Sequence, residues 1–185
     1  MKKFFLAIIA VLFALTCSAD AADNVNLVRV SDFNPKEFID RMGTGVVYQT
    51  FRQSGKLVAF TQLKSRPQFY DAENFPGMSV VGTVFGVEGD PLPDGEVRFF
   101  VDNEGNVFVV QFLASDIGNA KTSGMVLLMV MEALGLNENE VDALINRQSP
   151  ITEVFCANTK RRIIRQISDR EGRVITFFGA SNSKL

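Results

Sequence analysis

The segment Val107-Phe108-Val109-Val110-Gln111-Phe112-Leu113 constrains this chain more than any other. Side chains of a strand alternate between its two faces, so Val107, Val109 and Leu113 share one face and Phe108, Val110 and Phe112 the other. Both faces are apolar. A strand of this kind is covered on both sides and sits inside a sheet. Upstream, Val97-Arg98-Phe99-Phe100-Val101 runs into Asp102-Asn103-Glu104-Gly105-Asn106, whose residue types suit a tight turn. Glu96–Leu113 therefore reads as an antiparallel hairpin with a central returning strand.

The remaining elements follow from periodicity and from helix end signals. Asn34 before Pro35, with Glu37 in the first turn, predicts a short helix with Phe38, Ile39 and Met42 on its apolar side and Gly43 at its end. Val46–Arg52 and Lys56–Lys64 flank Gln53-Ser54-Gly55 and read as two strands of a hairpin. Ser65–Pro76 reads as a loop. Met78–Val87 reads as a strand whose second face, Val80, Gly82, Val84 and Gly86, is flat enough for another element to approach closely. Asp90–Gly95 is rich in turn residues. Ala120–Leu134 contains Met125–Met131, apolar nearly all round, and so predicts a buried helix. Leu127, Leu128 and Met131 are its expected core residues, lying over the glycine-bearing strand. Asn137 and Glu140 form a capping pair for a second helix, with Val141, Leu144 and Ile145 inward. Thr152–Ala157, Arg161–Ser168 and Arg173–Phe178 complete the strands, the last two joined by Asp169-Arg170-Glu171-Gly172. Segregated helices and strands imply an α+β fold. The expected architecture is a mostly antiparallel sheet of about seven to eight strands, with a short N-terminal helix and two central helices packed on one face.

The first residues describe a destination. Lys2 and Lys3 precede an unbroken apolar run of twelve residues, Phe4–Leu15. That run matches the core of a secretory signal, roughly 7–15 residues, and falls short of the about 20 that a spanning helix needs. Ala19-Asp20-Ala21 fits the small-residue cleavage rule. The expected organisation is a signal peptide over residues 1–21 and a single domain over residues 22–185, exported to a periplasmic or extracellular space without stable membrane insertion after cleavage. Cys17 could instead be the first residue of a lipoprotein. Leu15 and Thr16 before it depart from the usual spacing, so soluble release is preferred. The mature chain then holds one cysteine, Cys156, and must rely on its hydrophobic core instead of an internal disulfide.

Composition narrows the chemistry. The chain has no histidine, which excludes Ser-His-Asp and Cys-His nucleophile systems and the common histidine-based zinc sites. Cys156, in Val154-Phe155-Cys156-Ala157, reads as a buried small hydrophobe. Glu88, Asp90, Asp94 and Glu96 bracket one loop, and Asp102 and Glu104 lie in another. They fall short of a calcium-loop pattern and are explained by turn chemistry. No spacing singles out a pair of catalytic carboxylates, and no cofactor or metal is expected.

Charge is uneven. Residues 22–70 carry seven basic and four acidic side chains, 71–142 two and thirteen, and 143–185 eight and three. Acidic middle and basic flanks either neutralise one another within the fold or form a bipolar surface that steers a charged partner. Lys160, Arg161, Arg162, Arg165, Arg170 and Arg173 form a basic C-terminal hairpin. Mixed charge and isoleucine on both faces of Arg161–Ser168 suggest an edge strand. These six residues are the candidate partner-binding set, for an acidic protein or an anionic envelope polymer. The export signal and the absence of tryptophan argue against nucleic acid. The functional expectation is a small exported, non-enzymatic binding or protein-interaction module. A structural subunit joined through an edge strand, or a small carboxylate-dependent hydrolase, are the alternatives. Intact-mass analysis of the secreted protein should give an N-terminus at Ala22, within about two residues of the rule-based cleavage point. A lipid-bearing species that begins at Cys17 would overturn soluble release.

Overall fold

The computed structural model of the chain describes residues 27–55, 57–66, 77–90, 92–115, 118–146, 149–170 and 173–181. The expected signal segment and most of the expected 65–76 loop lie outside them. The strands are β1 (Leu27–Val28), β2 (Val58–Phe60), β3 (Lys64–Ser65), β4 (Ser79–Val87), β5 (Gly95–Val101), β6 (Val107–Ala114), β7 (Ile151–Cys156), β8 (Arg161–Arg170) and β9 (Arg173–Ser181). The helices are α1 (Pro35–Met42), α2 (Val46–Gln53), α3 (Ala120–Ala133) and α4 (Glu138–Ile145). All the strands join one antiparallel sheet in the order β2-β4-β5-β6-β9-β8-β7, with β3 also on β4 and β1 also on β9. The fold is α+β, as the segregation of elements implies.

β6 lies fourth of the seven strands in that order, the interior place that its two apolar faces require. Its register defines the two sides of the sheet. Val81, Phe99, Val110, Phe178 and Arg165 lie in one row, and Val80, Phe100 and Val109 in a row of the opposite face. The first face carries the helices: Phe85, Val97, Phe99, Val110, Phe112 and Phe178 form one core with Phe38, Phe51, Val126, Met129, Val130 and Leu144. Phe38 meets the Phe99 ring edge-on at 5.3 Å between centroids, and Phe85 stacks on Phe112 at 5.7 Å. The second face has its own small cluster of Val80, Phe100 and Val109, with no helical residue in it.

Two helices start where local sequence directs. Asn34 accepts from the Glu37 backbone while the Glu37 side chain accepts from Asn34 N–H, and Asn137 and Glu140 repeat the arrangement at α4. Glu140 also accepts from Ala157 N–H at 2.8 Å, which ties α4 to the end of β7.

The structure corrects four expectations. Val46–Gln53 is a helix, so the hairpin expected from Val46 to Lys64 does not form, and its second arm survives only as the short strands β2 and β3. Gly45 supplies no capping side chain. Instead the Glu132 carboxylate of α3 accepts from Val46 N–H at 2.7 Å and from Val47 N–H at 3.2 Å, capping α2 from 86 positions away. A Cβ on Gly45 would collide with that carboxylate, so glycine is what lets it approach. Val47, Tyr48 and Phe51 then fall on one helical face against the core, while Val46 stays 74% exposed. In α3 the enclosed residues are Val126, Met129, Val130 and Met131. Leu127 and Leu128 are both partly buried, Leu128 lies outside the core cluster, and α3 packs on the face opposite the glycines of β4 instead of over them. In α4, Leu144 points inward but Ile145 is 40% exposed. Finally, β8 is an interior strand and β7 holds the edge.

Met129→Ala should lower stability by about 2–5 kcal/mol, and Leu128→Ala by clearly less. Glu132→Ala should cost about 1–2 kcal/mol, the worth of a helix cap. Chemical denaturation of the three variants checks the order, and equal costs at Leu128 and Met129 would overturn this view of α3.

Candidate functional site

Gly82 and Gly86 lie on the helix-free face of β4, and what fills the space above them defines a recess. β2 and β3 both pair with β4, but residues 62–63 bulge out of the ladder between them. Thr61 bridges the gap: its Oγ1 accepts from Val84 N–H at 3.0 Å, and Thr83 Oγ1 donates to its carbonyl at 2.6 Å. Beyond Val87 the chain turns at Glu88-Gly89 and returns through Leu92 and Pro93, over Gly86. Ala59, Thr61, Lys64, Arg66, Val84, Gly86, Glu88, Asp90, Leu92 and Pro93 line the resulting open groove of about 500 Å³, with the cations Lys64 and Arg66 towards one end and the carboxylates Glu88 and Asp90 at the other. Its wall is charged. Arg66 Nε lies 2.6 Å from Glu96 Oε1, and Arg98 Nη2 donates to Glu96 Oε2 at 2.8 Å. A Cβ on Gly82 would meet all three side chains. Two guanidinium groups thus share one carboxylate, and exposed Lys64 adds a third cation beside them. Sequence reading missed Lys64, Arg66 and Leu92. The signal was the flat glycine face of β4, which marked a close approach without naming what approaches.

The six basic residues of the C-terminal hairpin do not share one surface. Lys160 is exposed in the β7–β8 turn with φ +58°. Arg161 and Arg165 project to the helix face and Arg162 to the other, as strand alternation requires. Arg161 pairs with Asp32, and Arg162 Nη1 donates to Glu153 at 2.8 Å. Arg165 is 5% exposed, opposite Thr152 and Phe178, and its Nε makes no hydrogen bond. Burial pulls its guanidinium pKa below the ordinary value. The side chains of Arg170 and Arg173 lie outside the described residues.

The acidic residues are also dispersed. Asp94 is buried beneath the start of α3, where Oδ1 accepts from Asn119 N–H at 2.5 Å, while Ser123 donates to its carbonyl. Glu96 faces the opposite side of the sheet, and Glu88 and Asp90 are exposed in the turn. Asp102 clamps the β5–β6 turn: Oδ1 accepts from Glu104 N–H and Asn106 N–H, each at 2.9 Å, and Oδ2 from the Asn106 amide at 2.7 Å. That amide bond chiefly holds the Asp102 carboxyl below its ordinary pKa, and the two backbone bonds and Arg29 add to it against desolvation, which outweighs either backbone bond alone. Cys156 is fully buried, its thiol 3.3 Å from the Gly135 carbonyl. Among the described residues, no three His, Cys, Asp or Glu side chains converge as metal ligands, and no helix is long and apolar enough to cross a membrane.

Because Arg165 is enclosed without a hydrogen-bonded Nε, Arg165→Met should leave the melting temperature unchanged or raise it, since the desolvation penalty of the charge is removed. Arg161→Glu should cost no more than about 1 kcal/mol, less at high salt, as expected of a surface pair. Thermal melts at two ionic strengths check both, and a severe loss in Arg165→Met would show that this cation is compensated. Comparison of the chain with family models, with curated proteins and with solved structures found no match.

Proposed function

We propose that this protein is an exported, non-enzymatic binding module of the cell envelope or extracellular space, and that the β2–β4 groove receives an anionic segment of its partner. The observation that carries this reading is the sharing of Glu96 by Arg66 and Arg98 at the wall of an open recess. One carboxylate cannot neutralise two guanidinium groups, so this end of the groove keeps a surplus positive charge next to exposed Lys64, while Glu88 and Asp90 make the far end acidic. Bidentate guanidinium donors suit carboxylate and phosphate partners. Leu92, 50% exposed, and Pro93 give the opposite rim an apolar contact. The partner chemistry is that of an acidic protein or an anionic envelope polymer. The signal-like N-terminus supports the compartment, and the lack of histidine supports binding over acid–base catalysis.

Retention of the purified protein on the envelope fraction of its own host tests the reading. Lys64→Glu changes an exposed side chain and should leave the melting temperature within about 0.5 kcal/mol of the parent. It should lower retention at least about tenfold at low salt and flatten its salt dependence. Retention that is absent in the parent, or unaltered in Lys64→Glu at both salt concentrations, would remove this groove as the binding surface.

A further inference from the structure

The two edges of the sheet are built differently. On one side, β2 has three residues and β3 two, and the chain between them bulges off β4 at residues 62–63, Thr61 N–H still bonding Val84 O at 2.9 Å. A bulge between two short strands blunts an edge against strand addition. On the other side, β7 runs six residues in unbroken register with β8, from Ile151↔Gln166 to Cys156↔Arg161. Among the described residues no strand pairs with its outer side, although Ile151 N–H donates to Ser149 Oγ at 3.3 Å.

Edge strands usually carry protection: lysine, an internal proline, a bulge or an inward charge. β7 carries none of these within Ile151-Thr152-Glu153-Val154-Phe155-Cys156 except Glu153. That carboxylate is already engaged by Arg162 at 2.8 Å. Ile151, Glu153 and Phe155 share the helix-free face, and Phe155 is 46% exposed at the margin of the sheet. An open edge flanked by an exposed aromatic ring is a surface for strand addition.

We propose that β7 pairs antiparallel with β7 of a second copy of this chain, joining two sheets across a two-fold axis. Three features select that occupant. An antiparallel edge is complementary to itself under a two-fold rotation, so each copy presents the same patch to the other. The bulged β2–β3 edge is a poor acceptor for β7, which disfavours head-to-tail addition into open filaments relative to the closed pair. The face beside the edge is also self-complementary. In the register centred on Glu153, Phe155 of each copy lies opposite Ile151 of the other, and the two central carboxylates are each held by an Arg162 of their own chain. The inference names a partner for the interaction module proposed above, and it uses a surface separate from the groove.

Sedimentation equilibrium and hydrogen exchange on the protein as its host produces it decide the matter. The expected result is a mass twice that of the monomer at micromolar concentration, with protection of the outward β7 amides that fades on dilution. Phe155→Lys places charge on the edge at an exposed position. It should raise the dimer dissociation constant at least about tenfold, as edge charge does, without moving the melting temperature of the diluted monomer. A parent protein that stays monomeric at high micromolar concentration overturns the proposal. So does a dimer that tolerates Phe155→Lys and leaves β7 unprotected. Envelope retention measured on the same samples separates the two ideas, because a monomer still retained through Lys64 sinks the dimer and keeps the groove.

Discussion

Helix α3 buries most of its apolar run, and the arrangement of the other elements follows from that. The run Met125–Met131 offers no polar stripe to water, so the chain must cover most of it, and only Met125, Leu127 and Leu128 stay partly exposed. The sheet covers it from below through Val110, Phe112 and Phe178, and α1 and α2 pack beside it. Val126, Met129, Val130 and Met131 are thereby removed from solvent. Full burial of such a side chain contributes about 1.5–3 kcal/mol, so α3 supplies a large share of the driving force of a marginally stable domain. It also carries the one polar contact that organises its neighbour, since Glu132 satisfies the first N–H groups of α2. A packing demand and a hydrogen-bonding demand are met by the same helix.

This explains which parts of the fold are legible from sequence. The capping pairs Asn34–Glu37 and Asn137–Glu140 operate within one helical turn, and the β5–β6 hairpin within twenty residues, so their signals are adjacent in the chain. The start of α2 is governed by a carboxylate 86 positions away, and Gly45 by itself resembles a turn. Val46–Arg52 then looks like a strand because it is rich in β-branched and aromatic residues and the helical stripe of Val47, Tyr48 and Phe51 is only three residues wide. An all-round apolar helix poses the opposite problem: burial is certain, but no periodicity distinguishes Met129 from Leu128. The candidate site divides in the same way. The flat glycine face of β4 is written in the sequence, whereas the arrival of Arg66 over Gly82 depends on the β3–β4 pairing.

Charge is settled in pairs across the fold, with little regard for the segments in which it is distributed. The acidic middle of the chain meets a basic flank through Arg66 and Glu96, but Arg98, from the acidic middle itself, competes for the same carboxylate. Arg161 finds Asp32 in the N-terminal flank, and Arg162 finds Glu153 on the adjacent strand. These internal partners explain how β8 can be an interior strand while carrying basic residues on both faces. Its arginines were an edge signal only while their counter-charges were unknown, and Arg165 goes further by burying its stem among Thr152 and Phe178.

Among the described residues the sheet therefore has one face covered by helices and another free of them. Every helix packs on the first face, where hydrophobic burial concentrates, so substitutions there are read as loss of folding. On the second face the apolar cluster is small, and the space above β4 is held by long charged side chains and a returning loop. Long guanidinium stems cover apolar backbone while keeping their heads near water, which lets a glycine-bearing strand remain close to solvent without a helix above it. The asymmetry extends to the edges, where β2 and β3 end the sheet by breaking it and β7 ends it intact. Among the described residues the helices all lie on one side, so the second face and the β7 edge are the parts of the sheet that they leave uncovered.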